Sequence, residues 1–337
     1  MKKERRAATS AQNGCPTLVD GFNRSITYLR VSVTDRCNLR CTYCLPGDVE
    51  FLPHDELLTY EEIERVVAAG AAMGVRKVRI TGGEPLVRKN LRELVRRLSK
   101  IENLSELTLT TNGILLEKRA RGLRDAGLQR INVSLDTLEK GKYREICRLG
   151  AFDDVLNGIV SAKKAGLNPV KINVVVIRDL NDGELENFVA FSRRNDLIIR
   201  FIEYMPARHD RDWRKKYVSR DEILLRLAHL IDRRRMNEVA PSTDPARYYP
   251  LLGGGAFGVI SPVSHNFCSM CNRLRLTPDG RLLACLTAKN GIDVRKNLRN
   301  DGGNDEKLRE AFLTAIRFKA ERGEITRSKH AMHRIGG

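Results

Sequence analysis

Apolar and polar positions along this chain follow two periods that take turns. Runs of β-branched and apolar residues at 26–33, Lys77–Thr81, Glu106–Thr111, Arg130–Ser134, 170–177 and Ile198–Glu203 predict six strands. Stretches of helical periodicity follow most of them. The first opens on a capping box, Thr59 with Glu62, and runs to Met73 before Gly74. Others cover 88–100, 117–126 (ended by Gly127), 152–165 and 183–194, and Ser219 with Glu222 caps one more to residue 231. Alternating strands and helices predict a parallel sheet with right-handed crossovers. Eight such units close a barrel. Six predict an open α/β fold, a partial (βα)6 TIM-like barrel. Past residue 235 the pattern changes: 253–255 marks a glycine loop, 273–277 and 282–286 read as a hairpin turned at Pro278-Asp279-Gly280, and a final helix covers 305–320. The expected division is a flexible leader over 1–20, the barrel over 21–232, and a C-terminal α+β segment over 233–337 that closes the barrel laterally.

Composition narrows the classes. The 337 residues are 42% hydrophobic and 30% charged, ordinary for a globular protein. No apolar run reaches the roughly 18 residues a membrane span needs, and the basic first residues carry no apolar stretch of a secretory signal. A cytoplasmic protein with no membrane partner is expected. The net charge of +18 calls for an anionic partner. Nucleic acid, a membrane surface and a phosphorylated small molecule all qualify, but aromatics make up only 6% and no RNP-type or KH-type run occurs, so no RNA-binding signature accompanies the charge and no nucleic-acid partner is expected. Much of the charge, such as Arg92, Arg96, Arg193 and Arg194, falls on solvated helix faces.

Candidate chemistry gathers where barrel enzymes keep it, beyond the C-terminal ends of strands. Cys37, Cys41 and Cys44 follow the first strand, Gly82-Gly83-Glu84-Pro85 the second, and Thr111-Asn112-Gly113 the third. Ser134-Leu135-Asp136 follows the fourth and Tyr204-Met205-Pro206 the sixth. Each alone is ordinary turn chemistry; five in register predict one shared site. Arg30, Arg79, Lys171 and Arg200 stand within strands where Val or Ile would be usual. Any one could pair with a carboxylate or snorkel outward. Buried unpaired cations are costly, so four together predict a polyanion inside the barrel, and Arg forks and Lys ammonium suit phosphate oxygens.

Six of the eight cysteines fall into two triplets, Cys37-x3-Cys41-x2-Cys44 and Cys268-x2-Cys271 with Cys285. In a cytoplasmic protein, clustered cysteines mean metal or catalysis rather than disulfides. A four-iron cubane takes four thiolates, so each triplet leaves one iron open to another ligand. For the second triplet a structural Cys3His zinc site with His265 is a rival. Cys15, Cys147, His54, His209, His229, His330 and His333 receive no role.

CNLRCTYC after a strand resembles the radical S-adenosylmethionine signature, and ITGGEP resembles the methionine-binding turn of that superfamily. SPVSHNFCSMCNRLRLTPDGRLLACL resembles the GTP 3′,8-cyclase family of molybdenum cofactor biosynthesis, a likeness that runs from Gly21 to Gly337. It implies a radical lyase with two [4Fe-4S] clusters and S-adenosylmethionine. Cys37, Cys41 and Cys44 would hold the cluster that cleaves S-adenosylmethionine, contacted by Tyr43, Gly83, Ser134 and Met205. Cys268, Cys271 and Cys285 would hold the second cluster, which meets guanine. Arg30, Arg79, Thr110, Lys171, Arg200 and the run Arg273, Leu274, Arg275 would contact GTP. Arg273 and Arg275 count as catalytic, with Gly336 and Gly337, which resemble a finger reaching into the active site. The implied reaction abstracts hydrogen from ribose C3′ and joins that carbon to guanine C8. Further implied partners are an electron donor and the next enzyme, cyclic pyranopterin monophosphate synthase; a homodimer stays open. Leu45 departs from a common Met.

Rival readings are another radical enzyme with an auxiliary cluster, modifying a peptide or tRNA, and a two-cluster electron carrier without catalysis. Peptide modifiers usually carry a longer cysteine-rich C-terminal domain, and carriers normally close their clusters with four cysteines. A structural zinc module is the last option.

Overall fold

Six strands form where the pattern predicts them: Tyr28–Ser32 (β1), Lys77–Thr81 (β2), Glu106–Thr111 (β3), Arg130–Ser134 (β4), Val170–Val176 (β5) and Ile198–Glu203 (β6). The computed structural model describes residues 8–12, 15–45, 49–205, 210–238, 244–300, 304–323 and 332–336. Both capping boxes are made: Thr59 and Glu62 open the helix Tyr60–Ala72, and Ser219 and Glu222 open Arg220–Arg226. Leu91–Leu98, Ala120–Asp125, Phe152–Lys164 and Leu185–Asn195 supply the other expected crossovers, and a helix not expected, Lys140–Cys147, follows β4. The strands between them carry a continuous core in which Phe188, Phe201 and Phe257 meet edge to face.

The C-terminal segment builds more sheet than the sequence predicts. It adds Ala246–Pro250 (β7), Ala256–Ile260 (β8), Arg273–Leu276 (β9), Arg281–Leu283 (β10) and Ile292–Asp293 (β11), before the helix Asp305–Arg317. The sheet order is β7-β8-β6-β5-β4-β3-β2-β1-β9-β10-β11. β8 lies parallel to β6 and β9 parallel to β1, so eight adjacent strands run one way. The partial barrel is therefore present. Among the described residues the edge strands β7 and β11 do not pair. The C-terminal segment instead extends both edges of the six-stranded core, whose N–H and C=O rows would otherwise be left bare.

The leader expected over 1–20 also ends sooner. Ala8–Gln12 and Cys15–Val19 pair in a small antiparallel sheet with Ser25–Ile26. Leu18 is fully buried, and Asp20 receives Arg24 at 2.7 Å. No helix among the described residues is long and apolar enough to cross a membrane.

Register places the chemistry. On the inner face of the sheet Arg275, Arg30, Arg79 and Thr108 stand side by side on β9, β1, β2 and β3. A second row carries Thr110, Asn132 and Lys171, and a third Asn173, Arg200 and Gly258. Along β5 the burial alternates, with Lys171 and Asn173 half-buried between the buried Val170, Ile172 and Val174.

Candidate functional site

These rows face a cavity of about 670 Å³. Arg30, Arg79, Lys171, Arg200, Arg273 and Arg275 line it, as do Cys268, Cys271 and Cys285. Its wall includes residues at the starts of strands, Lys77, Glu106 and Arg130, and Met205 beyond the end of β6. The cavity therefore runs along the strands. The second cysteine triplet, just ahead of β9, serves the end opposite to the strand-end loops.

The cations are held by neutral groups and a few acids. Arg79 donates from Nε to Tyr28 Oη at 2.6 Å and from a guanidinium NH to Thr110 Oγ1 at 3.3 Å. Burial alone would raise the Tyr28 hydroxyl, but Arg79, Arg30 and Lys77 together outweigh it and bring it down to about 7. Arg200 grips Asn173 Oδ1 at 2.6 and 3.0 Å. Lys171 donates to Tyr248 Oη at 2.8 Å, and the Asp244 carboxylate lies 3.6 Å from Lys171 and 3.9 Å from Arg200. Burial, and then Arg200, brings the Lys171 ammonium down to about 8. Burial, with Arg79 and Arg273 adding to it, brings Arg30 down to about 10. A site in which cations depress one another is short of negative charge, which is the signature of a polyanion site.

Each thiol of the second triplet has its own polar partner. Lys319 Nζ donates to Cys271 Sγ at 3.7 Å, Gly323 N donates to Cys268 Sγ at 3.3 Å, and Thr287 Oγ1 stands 3.6 Å from Cys285 Sγ. Burial would raise Cys271, but Lys319 and Arg273 outweigh it and hold it down at about 7. The loop carrying the triplet is tied to the barrel by Glu203 at the end of β6. Its Oε2 accepts from Val263 N at 2.9 Å and Ser264 N at 3.0 Å. The ring of His265, the expected fourth zinc ligand in the rival reading, meets Ser264 Oγ at 3.0 Å. Among the described residues no three His, Cys, Asp or Glu side chains converge tightly enough for one metal ion.

The first triplet lies in the loop after β1 and does not line the cavity. Cys37, Cys41 and Cys44 are half-buried, with Cys44 N and Leu45 N both bonded to Cys41 O at 3.0 Å. Burial pushes Cys37 up to about 12 and pushes Cys44 up as well. Thiols this reluctant to ionise need a positive centre such as iron to become ligands. Cys147, given no role from sequence, packs behind them, its carbonyl accepting from Arg40 N at 3.0 Å.

A network of buried acids, which the sequence placed in two of the strand-end turns without giving either a role of its own, ties the strand ends together. Glu84 accepts from Thr111 Oγ1 at 2.7 Å, Leu86 N at 2.9 Å and Asn112 N at 2.6 Å. Asn112 Nδ2 reaches on to Asn38 Oδ1 at 2.8 Å and Cys37 Sγ at 3.9 Å. Burial pushes Glu84 up to about 7. Asp136 takes Tyr43 Oη at 2.6 Å and Val175 N at 2.8 Å, and burial pushes it up to about 6. Glu84 stands inside the GGEP turn and Asp136 directly after Ser134-Leu135, two of the turns singled out from sequence; burial is what marks the acids among their residues.

Glycine is required at the turn itself. A Cβ on Gly83 would stand 2.4 Å from Arg36 O, and one on Gly82 2.6 Å from Thr34 O. The ITGGEP turn is thus packed against the start of the cysteine loop. Ser134 ends β4 half-buried opposite Asn173.

The segment Met332–Ile335 with Gly336 enters beside the end of β2. Gly336 O accepts from Arg30 Nη2 at 2.8 Å and Arg275 Nη1 at 2.7 Å, two arginines that also line the cavity. Ile335 and His333 are buried, and Arg334 donates to Glu50 O at 3.0 Å. Gly337 lies outside the described residues, as do Pro206 and His209.

Of the expected sites, the cavity thus gathers Arg30, Arg79, Lys171, Arg200, Met205, Arg273, Arg275 and the second triplet. Cys37, Cys41, Cys44, Tyr43, Gly83 and Ser134 form a neighbouring group at the strand ends. Thr110 reaches the cavity through Arg79. The Leu274 side chain is fully buried in the core, because alternate residues of β9 face opposite sides of the sheet, so only its backbone is available to a ligand.

Residues 31–192 match the model of the Radical SAM superfamily, and residues 197–325 match that named Molybdenum Cofactor Synthesis C. A GTP 3′,8-cyclase of Thermodesulfovibrio yellowstonii is 46% identical over 323 residues, covering 94% of this chain and 99% of that protein. Proteins of the same name from Petrotoga mobilis and Geobacter sulfurreducens are 45% and 43% identical, each over 95% of this chain and 100% and 99% of their own length. Among solved structures, Streptococcus suis SuiB bound to S-adenosylmethionine superposes with a TM-score of 0.60 at 15% identity, covering 87% of this chain and 69% of that one. Native anSMEcpe with bound AdoMet gives 0.55 at 17%, covering 90% and 92%. At these identities the two structures speak for the fold alone.

Proposed function

The chain belongs to the GTP 3′,8-cyclase family of the radical SAM superfamily, and we propose that it converts GTP to 3′,8-cyclo-7,8-dihydro-GTP, the first step of molybdenum cofactor biosynthesis. One observation carries this reading: a single cavity has Arg30, Arg79, Lys171 and Arg200 along its strands and Cys268, Cys271 and Cys285 at one end. Phosphate oxygens suit the cations, and the thiol triplet leaves a metal position for the base.

Cys37, Cys41 and Cys44 would hold one [4Fe-4S] cluster, and Cys268, Cys271 and Cys285 a second. When loaded, the first cluster with S-adenosylmethionine supplies a 5′-deoxyadenosyl radical for hydrogen abstraction at ribose C3′, and the second offers an open iron to guanine. Tyr43, Gly83, Ser134 and Met205 would contact S-adenosylmethionine. Arg30, Arg79, Thr110, Lys171, Arg200, Arg273, the Leu274 backbone and Arg275 would contact GTP, neutralising its triphosphate and fixing its ribose. Glu84 and Asp136 hold the cysteine loop to the strand ends through Asn112 and Tyr43. Gly336, docked through Arg30 and Arg275, would with Gly337 shield the reacting carbons from water and stray hydrogen donors. The remaining partners are an electron donor and the next enzyme of the route, cyclic pyranopterin monophosphate synthase, in the cytoplasm.

Anaerobic incubation of the iron-loaded protein with GTP, S-adenosylmethionine and a reductant tests this. It should yield 5′-deoxyadenosine and a rearranged purine nucleotide, from protein holding about eight irons and eight sulfides per chain, the sum of two cubanes. Bound zinc, or 5′-deoxyadenosine without any change in GTP, would count against it.

A further inference from the structure

Lys319 follows the helix Asp305–Arg317, is only 6% exposed, and has no place in the assignments above. Its Nζ has three acceptors: Arg273 O at 2.9 Å, Ala284 O at 3.1 Å and Cys271 Sγ at 3.7 Å. An ammonium has three N–H donors, and a neutral amine only two. Three acceptors around one nitrogen match the three N–H groups of an ammonium and fix its direction. Two of the acceptors are backbone carbonyls flanking the second triplet, so the charge is pinned beside Cys271 rather than free to swing away.

The other thiols of that triplet meet neutral donors, Gly323 N at Cys268 and Thr287 Oγ1 at Cys285. In the first triplet the described donors to Cys37 Sγ, Leu39 N at 3.4 Å and Asn112 Nδ2 at 3.9 Å, are neutral too. At Cys271, by contrast, a buried lysine donates to the sulfur, with Arg273 close by. Adding an electron to an iron–sulfur cluster makes it more negative, so a nearby cation and its N–H···S bond favour the reduced state. Net charge and hydrogen bonds to sulfur are known levers on cluster potential.

We propose that Lys319 is a positioning residue for the second cluster, its Nζ pinned by two carbonyls so that it donates to the Cys271 sulfur and raises that cluster's reduction potential. The inference rests on the reading that the second triplet holds a cluster. Electrons continue to come from the external reductant, and Lys319 sets how readily the second cluster accepts one.

The test uses full-length chains carrying Cys37→Ala, Cys41→Ala and Cys44→Ala, so that a single cluster gives the EPR signal. Into this parent are placed Lys319→Met, Lys319→Gln and Lys319→Arg, followed by iron analysis and an EPR-monitored redox titration. Gln keeps N–H donors for the Arg273 and Ala284 carbonyls but has no charge; Arg keeps the charge. The Met and Gln chains should titrate at least about 59 mV lower than the parent, a tenfold change in the reduced-to-oxidised ratio for one electron. The Arg chain should stay near the parent. Loss of iron from Met and Gln chains with retention in Arg also supports the assignment. A Gln or Met chain that holds its cluster at the parent's potential overturns it, as does loss of iron from all three. A parent chain that takes up no iron overturns the second cluster itself, and with it this inference.

Discussion

Gly336→Ala is the most exacting test of the docked tail. Gly336 sits at φ +63°, and a Cβ there would stand 1.9 Å from Thr81 Oγ1 and 2.8 Å from Thr81 Cβ. The left-handed conformation costs a residue with a Cβ about 1–2 kcal/mol. Thr81 Oγ1 donates to Val31 O at 3.3 Å, so turning the hydroxyl aside forfeits a further 0.5–1.5 kcal/mol or so. Together these give about 1.5–3.5 kcal/mol, roughly a tenfold to several-hundredfold loss in the docking equilibrium before any residual overlap is counted. Undocking also removes Gly336 O from Arg30 and Arg275, returning two charged donors to the cavity.

The expected result is selective. Iron content, GTP binding and release of 5′-deoxyadenosine should persist in Gly336→Ala, while cyclised product falls at least about tenfold, since an ångström of misplacement can cost about a hundredfold. Product and 5′-deoxyadenosine measured in the same anaerobic reaction give the coupling ratio. Adding Thr81→Gly removes the obstructing side chain and should recover part of the product, leaving only the conformational cost. Unchanged turnover in Gly336→Ala would refute the docked tail as a working part of the site.

Three further outcomes follow from the same geometry. Cys41→Ser should abolish cleavage of S-adenosylmethionine, whereas Cys271→Ser should leave some uncoupled cleavage and little product; normal product from a Cys271→Ser chain lacking its second cluster would sink the two-cluster assignment. Lys171 is charged below about 8 and neutral above it, so GTP affinity measured by calorimetry should fall as pH rises through that point, and Lys171→Arg should lessen the fall, what remains tracking ionisation of Tyr28 near 7; a wild-type affinity that stays flat across that point counts against Lys171 as a phosphate ligand. The Asp244 carboxylate, 3.6 Å from Lys171 and 3.9 Å from Arg200, competes with phosphate for both, so Asp244→Asn should tighten GTP binding about twofold to fivefold, and weaker binding would refute that role.

The barrel was legible because its signals are local. Apolar runs gave the six strands, and both capping boxes put glutamates three residues after Thr59 and Ser219, where the structure shows the reciprocal bonds. The hairpin β7–β8 was not legible. ARYYP ends in proline and AFGVI contains glycine, so neither looks like a strand until a neighbouring edge offers partners. Lys140–Cys147 was missed for a similar reason: its helix starts without a side-chain cap, and only Tyr143, Ile146 and Cys147 are buried. At the site, the cysteines and strand cations announce themselves by residue type. Lys319 does not, because one lysine in a charged helix looks like any other and its acceptors lie far off in sequence at Cys271, Arg273 and Ala284. The fold also places what the sequence left without a position. Strand-end loops hold the first triplet, whereas the second sits at the other end of the cavity, reached only because β9 joins the sheet beside β1.

That joining accounts for the charge inside the barrel. By pairing with β1, β9 sets Arg275 next to Arg30, which already neighbours Arg79, and three like charges in one register row repel. The groups that meet them here include backbone carbonyls at Ile335 and Gly336, a hydroxyl at Thr110 and the Tyr28 phenol that the cations themselves draw toward ionisation. The carbonyls and the Thr110 hydroxyl carry no charge, so they satisfy N–H groups and leave most of the positive field in place. A strand added merely to cover an edge could carry Val or Ile at these positions and avoid the repulsion. The row makes sense as a receptor: a polyanion entering the cavity relieves the repulsion and gains the field, stabilising the folded chain by mass action as it binds. The same strand that covers the bare edge thus supplies Arg273 and Arg275 to the cavity, follows directly on Cys268 and Cys271, and offers Arg275 to the tail. Fold completion and site assembly are one event in this chain.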